Sequence, residues 1–318
     1  MLKKEFAEIE NNFDGTLEYD IPRAKYAYYR IGGPAAVIAT PRSFAALKQL
    51  HEVLLRTRVP FFILGWGSNL LFSDASYDGV VIRMKHLFTE VEVLPELNGK
   101  KGNFLKLGAS IGAASLLKKA SVEGFGGLAC LTGIPGSVGG MVAMNAGTHL
   151  GEIGKRLVQT EFVNLNQPID TNSGELQVQT RMHAEGDFSY RENHFLKSGD
   201  LITHTYLHFD KADPETIKTE IDDLYQRRKS TQPVNLPSCG SVFKNPRDHG
   251  MHAWQVVEKL GLRGHQIGNA QISEKHPNFI VNLGSAKAAD VKALIDLVKA
   301  RANAELRIEL HEEVKFVP

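Results

Sequence analysis

The glycine-rich stretch Gly124–Gly151 limits most strongly what this chain can fold into. Nine of its 28 positions are glycine, one is proline, and none is Asp, Glu, Lys or Arg. This composition disfavours both a packed helix and a membrane-spanning helix. Main-chain N–H groups can approach a ligand closely in such a stretch, and the turn Ile134–Ser137 is predicted to direct its amides towards an anionic pyrophosphate. The alternative is a glycine-rich core turn where two elements cross closely.

Composition and charge are those of an ordinary globular protein. The 318 residues suffice for two or three domains, and 42% are hydrophobic and 23% charged. Lys and Arg total 37 against 36 Asp and Glu, so we expect no binding to nucleic acid or to a membrane surface. Neither a signal peptide nor a membrane span is recognised, which predicts a cytoplasmic protein. Cys130 and Cys239 lie far apart without ligand spacing, so neither a disulfide nor a metal site is expected.

Hydrophobic periodicity predicts a mixture of helices and strands. We expect helices at 1–12, between Ser43 and Pro60, at 111–122, from Asp213–Pro214 onward, at 252–260 and at 288–306. We expect strands at 35–39, 61–64, 80–84, 104–108, 158–165, 175–180, 201–209, 271–273, 278–282 and 308–316.

The strand at 61–64 leads into Gly65-Trp66-Gly67, which invites comparison with a Rossmann dinucleotide-binding fingerprint. Leu70 stands where the third glycine belongs, and the chain continues with apolar residues and no clean helix. Two glycines beside Ser68 and Asn69 are equally consistent with a phosphate-binding loop of another design. A Rossmann dehydrogenase using NAD alone remains an alternative, and it predicts a colourless protein.

Arg228 continues the apolar spacing of the helix that Pro214 opens, one turn beyond Leu224. On spacing alone it is explained as a snorkelling side chain, or as a cation favoured near a helix C-terminus.

Seven sequence blocks carry a resemblance to a known family. They are Arg30–Gly33, Leu64–Leu71, Gly133–Gly140 with Asn145–Gly147, Tyr190–Arg191, Gly240–Pro246, Gln271–Ser273 with His276–Asn282, and Glu313–Lys315. In this order they resemble the UDP-N-acetylenolpyruvoylglucosamine reductase (MurB) family over essentially the whole chain.

The resemblance implies an α+β fold. A two-lobed FAD-binding region of the vanillyl-alcohol-oxidase/PCMH type is expected, followed by a C-terminal α+β substrate domain. The implied boundaries are 1–84 for the first FAD lobe, 85–212 for the second lobe and 213–306 for the substrate domain, with 307–318 returning to the first lobe.

The resemblance also implies a cofactor and a reaction. Non-covalent FAD would be reduced by NADPH and would pass hydride to the enolpyruvyl group of UDP-N-acetylglucosamine enolpyruvate. The product would be UDP-N-acetylmuramate, a peptidoglycan precursor needed for cell wall biogenesis, cell shape and division. No obligate protein partner is implied.

By resemblance, the residues that hold FAD lie in three blocks. They are Arg30, Ile31, Gly32, Gly33, Gly65, Gly67, Ser68, Asn69, Leu70, Gly133, Ile134, Pro135, Gly136, Ser137, Gly139, Gly140, Asn145 and Gly147.

The reaction itself indicates which residue types the substrate needs. Hydride addition to the methylene carbon leaves negative charge on the other vinyl carbon and the carboxylate, so a cation and an acid are required. The resemblance assigns Arg191 to the carboxylate, Ser241 to proton donation, and Glu313 to polarising or protonating the carboxylate. It assigns Tyr190, Arg228, Asn245 and His276 to substrate binding.

Three positions depart from the family pattern. Asn193 stands two residues after Arg191, where the family often has serine. Trp66 replaces a small residue between two glycines, and its bulk is expected to point away from the FAD phosphates. Trp254 stands where glycine is common. The loop of the longer subclass is not recognised, so the shorter subclass is expected.

Two other functions remain as alternatives. Another FAD-dependent oxidoreductase of the same fold would not require the Ser241 and Glu313 blocks. A non-catalytic flavin-binding or nucleotide-sugar-binding module would tolerate loss of Arg191, Ser241 and Glu313, and all three residues are present.

Overall fold

The computed structural model describes residues 2–170 and 175–318, which divide into two compact units. Each unit combines segments that are distant in the sequence. The first comprises Met1–Tyr19, Ala36–Trp66 and Asp78–Gln226, and the second comprises Asp20–Ala35, Gly67–Tyr77 and Arg227–Pro318. The division into two FAD lobes and a substrate domain stays a prediction.

Most predicted helices are confirmed, with bounds that shift by a few residues. Ser43 Oγ accepts the Ala46 N–H at 3.3 Å, and Asp213 Oδ2 accepts the Thr216 N–H at 2.9 Å, so both predicted N-caps form. The α-helices are α1 (Leu2–Glu10), α2 (Phe44–Thr57), α3 (Ala113–Glu123), α4 (Val138–Ala143), α5 (Pro214–Thr231), α6 (Ala253–Lys259) and α7 (Ala288–Arg301).

The strands are short outside the two larger sheets. They are β1 (Gly15–Pro22), β2 (Pro34–Pro41), β3 (Phe61–Leu64), β4 (Leu70–Phe72), β5 (Tyr77–Arg83), β6 (Val91–Leu97), β7 (Lys100–Gly108), β8 (Phe125–Gly126), β9 (Gly147–Thr148), β10 (Gly151–Glu152), β11 (Leu157–Asn164), β12 (Val178–Met182), β13 (Phe188–Ser189), β14 (Glu192–Asn193), β15 (Asp200–His208), β16 (Asp210–Lys211), β17 (Gln266–Ile267), β18 (Ala270–Ile272), β19 (Ile280–Asn282) and β20 (Lys315–Val317).

A five-stranded antiparallel sheet forms much of the first unit, in the order β12-β11-β15-β7-β6. Leu105 and Leu107 of β7 pack with Leu116 of α3 and Val142 of α4 in one core. This packing brings α3, which precedes the glycine-rich stretch, and α4, which lies within it, to one sheet.

A four-stranded sheet has the order β1-β2-β5-β3, with β3 and β5 parallel. The apolar stripe of α2, including Leu47 and Leu50, shares a core with Val80 and Ile82 of β5. Strand β3 ends at Leu64, directly before the glycine loop that begins at Gly65.

The second unit contains the antiparallel sheet β17-β18-β19 and the parallel pair β20-β4. Helices α6 and α7 cover a core that includes Val256, Leu294, Ile280 and Val314. The C-terminal strand pairs with residues 70–72, which lie in the range predicted for the first lobe.

Three predictions of secondary structure are wrong in detail. The strand predicted at 308–316 is confined to Lys315–Val317. The residues before it form isolated hydrogen bonds with loops instead of a continuous ladder; for example, the Lys244 N–H donates to the His311 carbonyl. The helix predicted to end at 306 ends at Arg301, followed by a π-helical turn. The glycine-rich stretch contains α4, because Ser137 caps its first turn.

No helix within residues 2–170 and 175–318 has the length and apolar character that crossing a bilayer requires.

Arg23 is the largest of the fully buried side chains, with 1% exposure. Its guanidinium donates to the carbonyls of Gly33 at 3.0 Å, Ser73 at 3.1 Å and Ala75 at 2.8 Å, and also to Pro318. Burial lowers the pKa of this guanidinium. Arg23 therefore ties separate loops of the second unit together through their backbone oxygens.

We expect Arg23→Met to lower the free energy of unfolding by about 2 kcal/mol or more, because several backbone oxygens lose their donor. Urea denaturation measures the change. Arg42→Met, at an exposed arginine, is the matched control. An equal and small effect of the two substitutions would contradict this role of Arg23.

Candidate functional site

Two predicted cofactor segments lie against one another in the first unit. A side chain at Gly65 would place its Cβ 2.7 Å from Ser137 Oγ, so any other residue there would displace the Ser137 side chain, which caps α4. The Trp66 ring lies over the backbone of Gly112, where a Cβ would be 2.5 Å from the indole. The bulk of Trp66 thus packs on the start of α3.

The turn at 133–140 uses part of its backbone for its own packing. Val138 and Gly139 donate their N–H groups to the carbonyls of Ile111 and Ala109, each at 2.8 Å. Ser137 Oγ accepts the Gly140 N–H at 3.4 Å as the N-cap of α4. Any phosphate contact of this turn must therefore come from its other amides and from Ser137.

The segment Arg30–Gly33 forms a tight loop in the second unit. Arg30 has a left-handed backbone with φ 55°, and its side chain is exposed, whereas Ile31 is buried. Gly33 donates to the Ser73 carbonyl at 2.8 Å, and a Cβ on it would lie 2.3 Å from the carbonyls of residues 74 and 75. Gly32 is half-buried at φ 143°.

The other glycine-loop residues, Gly67–Leu70, also belong to the second unit. Gly67 has φ 65° and accepts the Tyr28 N–H at 3.1 Å. Asn69 Nδ2 donates to the Glu313 carbonyl at 3.0 Å, and the Asn69 carbonyl accepts the Lys315 N–H at 3.0 Å. Asn69 therefore fixes the backbone of a predicted catalytic residue.

Arg191 lies at the tip of the hairpin β13-β14 in the first unit, with a left-handed backbone at φ 60°. Its Nη2 donates to the Gly147 carbonyl at 2.7 Å, and Nη1 lies 3.5 Å from Glu152 Oε1 and from the Asn145 carbonyl. The guanidinium lies 5.0 Å from the centre of the Tyr190 ring. The structure thus brings together four predicted site residues of this unit.

Asn193 replaces the serine common in the family, and its side chain binds the backbone. Nδ2 donates to the Ala143 carbonyl, and Oδ1 accepts the Leu196 N–H at 3.0 Å. Asn193 thereby joins the hairpin to the end of α4.

Ser241 is half-buried in a segment whose neighbours are fixed. Gly240 before it has φ 76°, a conformation that favours glycine. After it, Val242 N–H donates to the Asn278 carbonyl at 2.8 Å. The buried Asn278 side chain also accepts the Phe243 N–H at 3.0 Å and donates to the Phe243 carbonyl at 2.9 Å.

Glu313 is held by the same segment. Its N–H donates to the Val242 carbonyl at 2.8 Å, while its own carbonyl accepts from Asn69. The backbones of Ser241 and Glu313 are therefore linked through Val242 within the second unit.

Arg228, Gln232 and His276 form a polar cluster in the second unit. Arg228 lies in the last turn of α5, and Gln232 directly follows the helix and donates its N–H to the Arg228 carbonyl at 2.9 Å. Arg228 is close enough to lower the pKa of His276. Burial is the main cause of that lowering, and it also lowers the pKa of Arg228. Arg228 Nε, Gln232 Oε1 and His276 Nδ1 are buried and have no hydrogen-bond partner among the described residues.

Asn245 and Trp254 lie at the N-terminus of α6. Asn245 Oδ1 accepts the Ala253 N–H at 3.0 Å, so this side chain already caps the helix. Trp254 follows in the first turn and is 39% exposed.

The predicted residues fall into two groups. The first unit holds Gly65, the residues of 133–147 and the pair Tyr190–Arg191, and the second unit holds Arg30–Gly33, Gly67–Leu70, Arg228, Ser241, Asn245, His276 and Glu313.

Sequence reasoning missed three residues that contact these groups: Glu152, Asn278 and Gln232. Helical spacing gives a signal for Gln232, which follows Arg228 by four positions. No spacing rule connects Glu152 to Arg191 or Asn278 to Phe243, because those contacts form only in the folded chain.

The residues present fit a bound flavin dinucleotide. Gly65 and Ser137 approach each other without intervening side chains, and backbone amides in such turns are typical ligands for phosphate. No group of three or more His, Cys, Asp or Glu in residues 2–170 and 175–318 is arranged to hold a metal ion.

Comparison with family models agrees with this geometry. Residues 34–166 match the model described as an FAD binding domain, and residues 232–317 match the model described as the C-terminal domain of UDP-N-acetylenolpyruvoylglucosamine reductase. The α+β fold with a PCMH-type FAD-binding domain is confirmed, and the chain is an FAD-dependent oxidoreductase.

Similar proteins cover nearly the whole chain. The UDP-N-acetylenolpyruvoylglucosamine reductase of Bacillus subtilis is 35% identical over 99% of this chain and 99% of its own length. That of Clostridium novyi is 35% identical over 98% of this chain and 92% of its own. The crystal structure of the Thermus caldophilus enzyme (MurB) covers 96% of this chain and 100% of its own, with 32% identity and a TM-score of 0.77. The chain belongs to the UDP-N-acetylenolpyruvoylglucosamine reductase (MurB) family.

The burial of His276 predicts a pH dependence of stability. Because the folded state lowers the pKa of His276, the unfolded chain binds a proton more readily as pH falls below the ordinary value of about 6.5. We expect the unfolding free energy of the wild type to fall relative to His276→Gln between about pH 8 and about pH 5. His265→Gln, at an exposed histidine, is the control and should follow the wild type. A constant difference between wild type and His276→Gln across this range would contradict the prediction.

Proposed function

We propose that this chain reduces the enolpyruvyl group of UDP-N-acetylglucosamine enolpyruvate to UDP-N-acetylmuramate, with NADPH as electron donor, in peptidoglycan precursor synthesis. The observation that carries the proposal is the link between Ser241 and Glu313 through Val242, inside a chain that matches the family over almost its full length. An FAD oxidoreductase with another substrate has no need for this arrangement.

FAD, when bound, supplies the redox chemistry by accepting hydride from NADPH and delivering hydride to the substrate. The Gly65 loop and the turn at Gly133–Gly140 of the first unit would hold its pyrophosphate, together with Ser137. In the second unit, Arg30–Gly33 and Gly67–Leu70 are the segments that the family resemblance assigns to FAD.

Arg191 binds the substrate carboxylate in this proposal. A planar guanidinium offers paired donors that match two carboxylate oxygens, which a lysine cannot reproduce. Its orientation is supported by the Gly147 carbonyl and by the Tyr190 ring. A held guanidinium stabilises negative charge that develops as hydride arrives.

Ser241 gives its hydroxyl proton to the vinyl carbon that bears the developing charge. The fixed backbone on both sides of Ser241 supports this role, because a proton donor must be held within hydrogen-bond reach of the receiving atom. Glu313, fixed by Val242 and Asn69, polarises or protonates the substrate carboxylate.

The polar cluster of Arg228, Gln232 and His276 is suited to the substrate diphosphate. Buried polar atoms without a protein partner are costly unless a ligand satisfies them. Burial lowers the pKa of Arg228, but an arginine guanidinium stays protonated in proteins. Asn245 contributes from the second unit by its backbone or its amide nitrogen, since its Oδ1 caps α6.

The absorption spectrum tests the whole proposal. A flavin band that NADPH bleaches anaerobically, and that UDP-N-acetylglucosamine enolpyruvate restores, is the expected result. A band that bleaches and is not restored by this substrate would remove the substrate assignment and favour another FAD-dependent oxidoreductase. A protein that binds no FAD would overturn the proposal.

We expect Ser241→Ala to bind FAD and to be reduced by NADPH, while reoxidation by the substrate slows by about 10²–10⁴-fold. Stopped-flow absorbance measures the two half-reactions separately. Ser121→Ala, at a half-buried serine of α3 whose hydroxyl donates to the Lys118 carbonyl of the same helix, is the control. Normal reoxidation of Ser241→Ala would remove Ser241 from the mechanism.

We expect Arg228→Ala to raise the KM for the UDP-sugar substrate by roughly 10- to 100-fold, because a charged hydrogen bond to the diphosphate is lost. Arg227→Ala changes the charge of the same helix by the same amount at an exposed neighbour, and is the matched control. Equal effects of the two variants would assign the loss to overall charge instead of a specific contact.

A further inference from the structure

Side chains from other segments of the first unit contact the β13-β14 hairpin and Arg191 at its tip. Arg191 has a left-handed backbone, which costs free energy for a residue with a side chain and persists only where the surroundings enforce it. The surroundings of Arg191 in the first unit therefore determine where its guanidinium lies.

Asn145 connects three of these segments. It is 1% exposed, its Nδ2 donates to the Ser189 carbonyl at 2.7 Å and to Glu152 Oε2 at 2.9 Å, and its Oδ1 accepts the Gly154 N–H at 3.0 Å. Both amide hydrogens and the amide oxygen are thus engaged by protein groups. The Asn145 side chain thus links the hairpin to Glu152 and Gly154.

Glu152 uses its two oxygens for different partners. Oε2 accepts from Asn145, and Oε1 lies 3.5 Å from Arg191 Nη1. The Glu152 and Arg191 side chains are 18% and 14% exposed, so their attraction is screened less than that of a surface pair. The negative charge of Glu152 therefore compensates a largely buried guanidinium.

The contacts of Arg191 come from two directions. Gly147 accepts from Nη2, whereas Glu152 and the Asn145 carbonyl lie beside Nη1. Contacts to both terminal nitrogens fix the plane of the guanidinium as well as its position. A guanidinium with a fixed plane loses little further freedom when it binds a carboxylate.

We propose that Glu152 and Asn145 are positioning residues for Arg191: Glu152 orients the guanidinium for the substrate carboxylate, and Asn145 holds Glu152 and the hairpin in place. The inference rests on the proposed function, since it takes Arg191 as the carboxylate ligand. Glu152 itself does not contact the substrate.

Glu152→Gln is the decisive variant, because it keeps the size of the side chain and an oxygen for Asn145 but removes the charge next to Arg191. We expect the Kd for the UDP-sugar substrate, measured by titration of the flavin spectrum of the oxidised enzyme, to rise about 10- to 100-fold. Glu192→Gln changes the charge at an exposed position of the same hairpin and is the matched control, with a Kd close to that of the wild type. Tighter binding by Glu152→Gln would mean that Glu152 competes with the substrate, and would overturn the inference.

A double-mutant cycle separates positioning from a general structural role. Arg191→Lys alone should weaken binding, and adding Glu152→Gln to it should change Kd by less than about threefold, because the guanidinium to be oriented is gone. The same loss in both backgrounds would show that Glu152 acts independently of Arg191. If Arg191→Lys binds the substrate like the wild type, the proposed function of Arg191 fails instead.

A second variant covers the case in which Glu152→Gln does not fold. Glu152→Asp keeps the charge but withdraws it from Arg191 by one methylene group. We expect Glu152→Asp alone to raise the Kd of the otherwise wild-type enzyme. Added to Arg191→Lys, it should leave the Kd within about threefold of that of Arg191→Lys alone. The unfolding free energy of each variant, measured with urea, identifies any loss of binding that follows from instability.

Discussion

Buried and half-buried side-chain amides hold the irregular segments on which the predicted functional residues lie. Backbone groups outside helices and sheets need partners when they are buried, and an asparagine offers both a donor and an acceptor on a short side chain. Asn278 pairs with both polar backbone groups of Phe243, beside Ser241. Asn145 donates to the Ser189 carbonyl in the hairpin of Arg191, and Asn69 donates to the Glu313 carbonyl.

The three buried or half-buried arginines with assigned roles differ in what surrounds them. Arg23 binds backbone oxygens and serves the fold. Arg191 lies beside a carboxylate, with its Nη1 3.5 Å from Glu152 Oε1. Arg228 has a buried Nε without a hydrogen-bond partner among the described residues, and such an atom is suited to a ligand. Arg23 therefore serves the fold, whereas Arg191 and Arg228 have the surroundings expected for the ligand contacts proposed for them.

The helix caps, the fold, the cofactor and the family were all predictable from the sequence. Ser43 and Asp213 were recognised as helix caps because capping depends on neighbours within three positions. The α+β fold, FAD and the family were predicted from seven ordered blocks and are confirmed. The strand predicted at 308–316 was wrong over most of its length, because single pairings with distant loops replace a regular ladder there.

The sequence by itself determined the elements whose signals are local: the helices with their caps, the strands that alternate, and the glycines that allow Gly65 to approach Ser137. Only the tertiary structure decided that Glu152 lies beside Arg191, that Asn278 holds Phe243, and that Asn145 and Asn69 bind protein groups with their side chains. The physical reason is that these contacts join residues with no regular spacing, and a local pattern carries no information about a partner that only folding brings close.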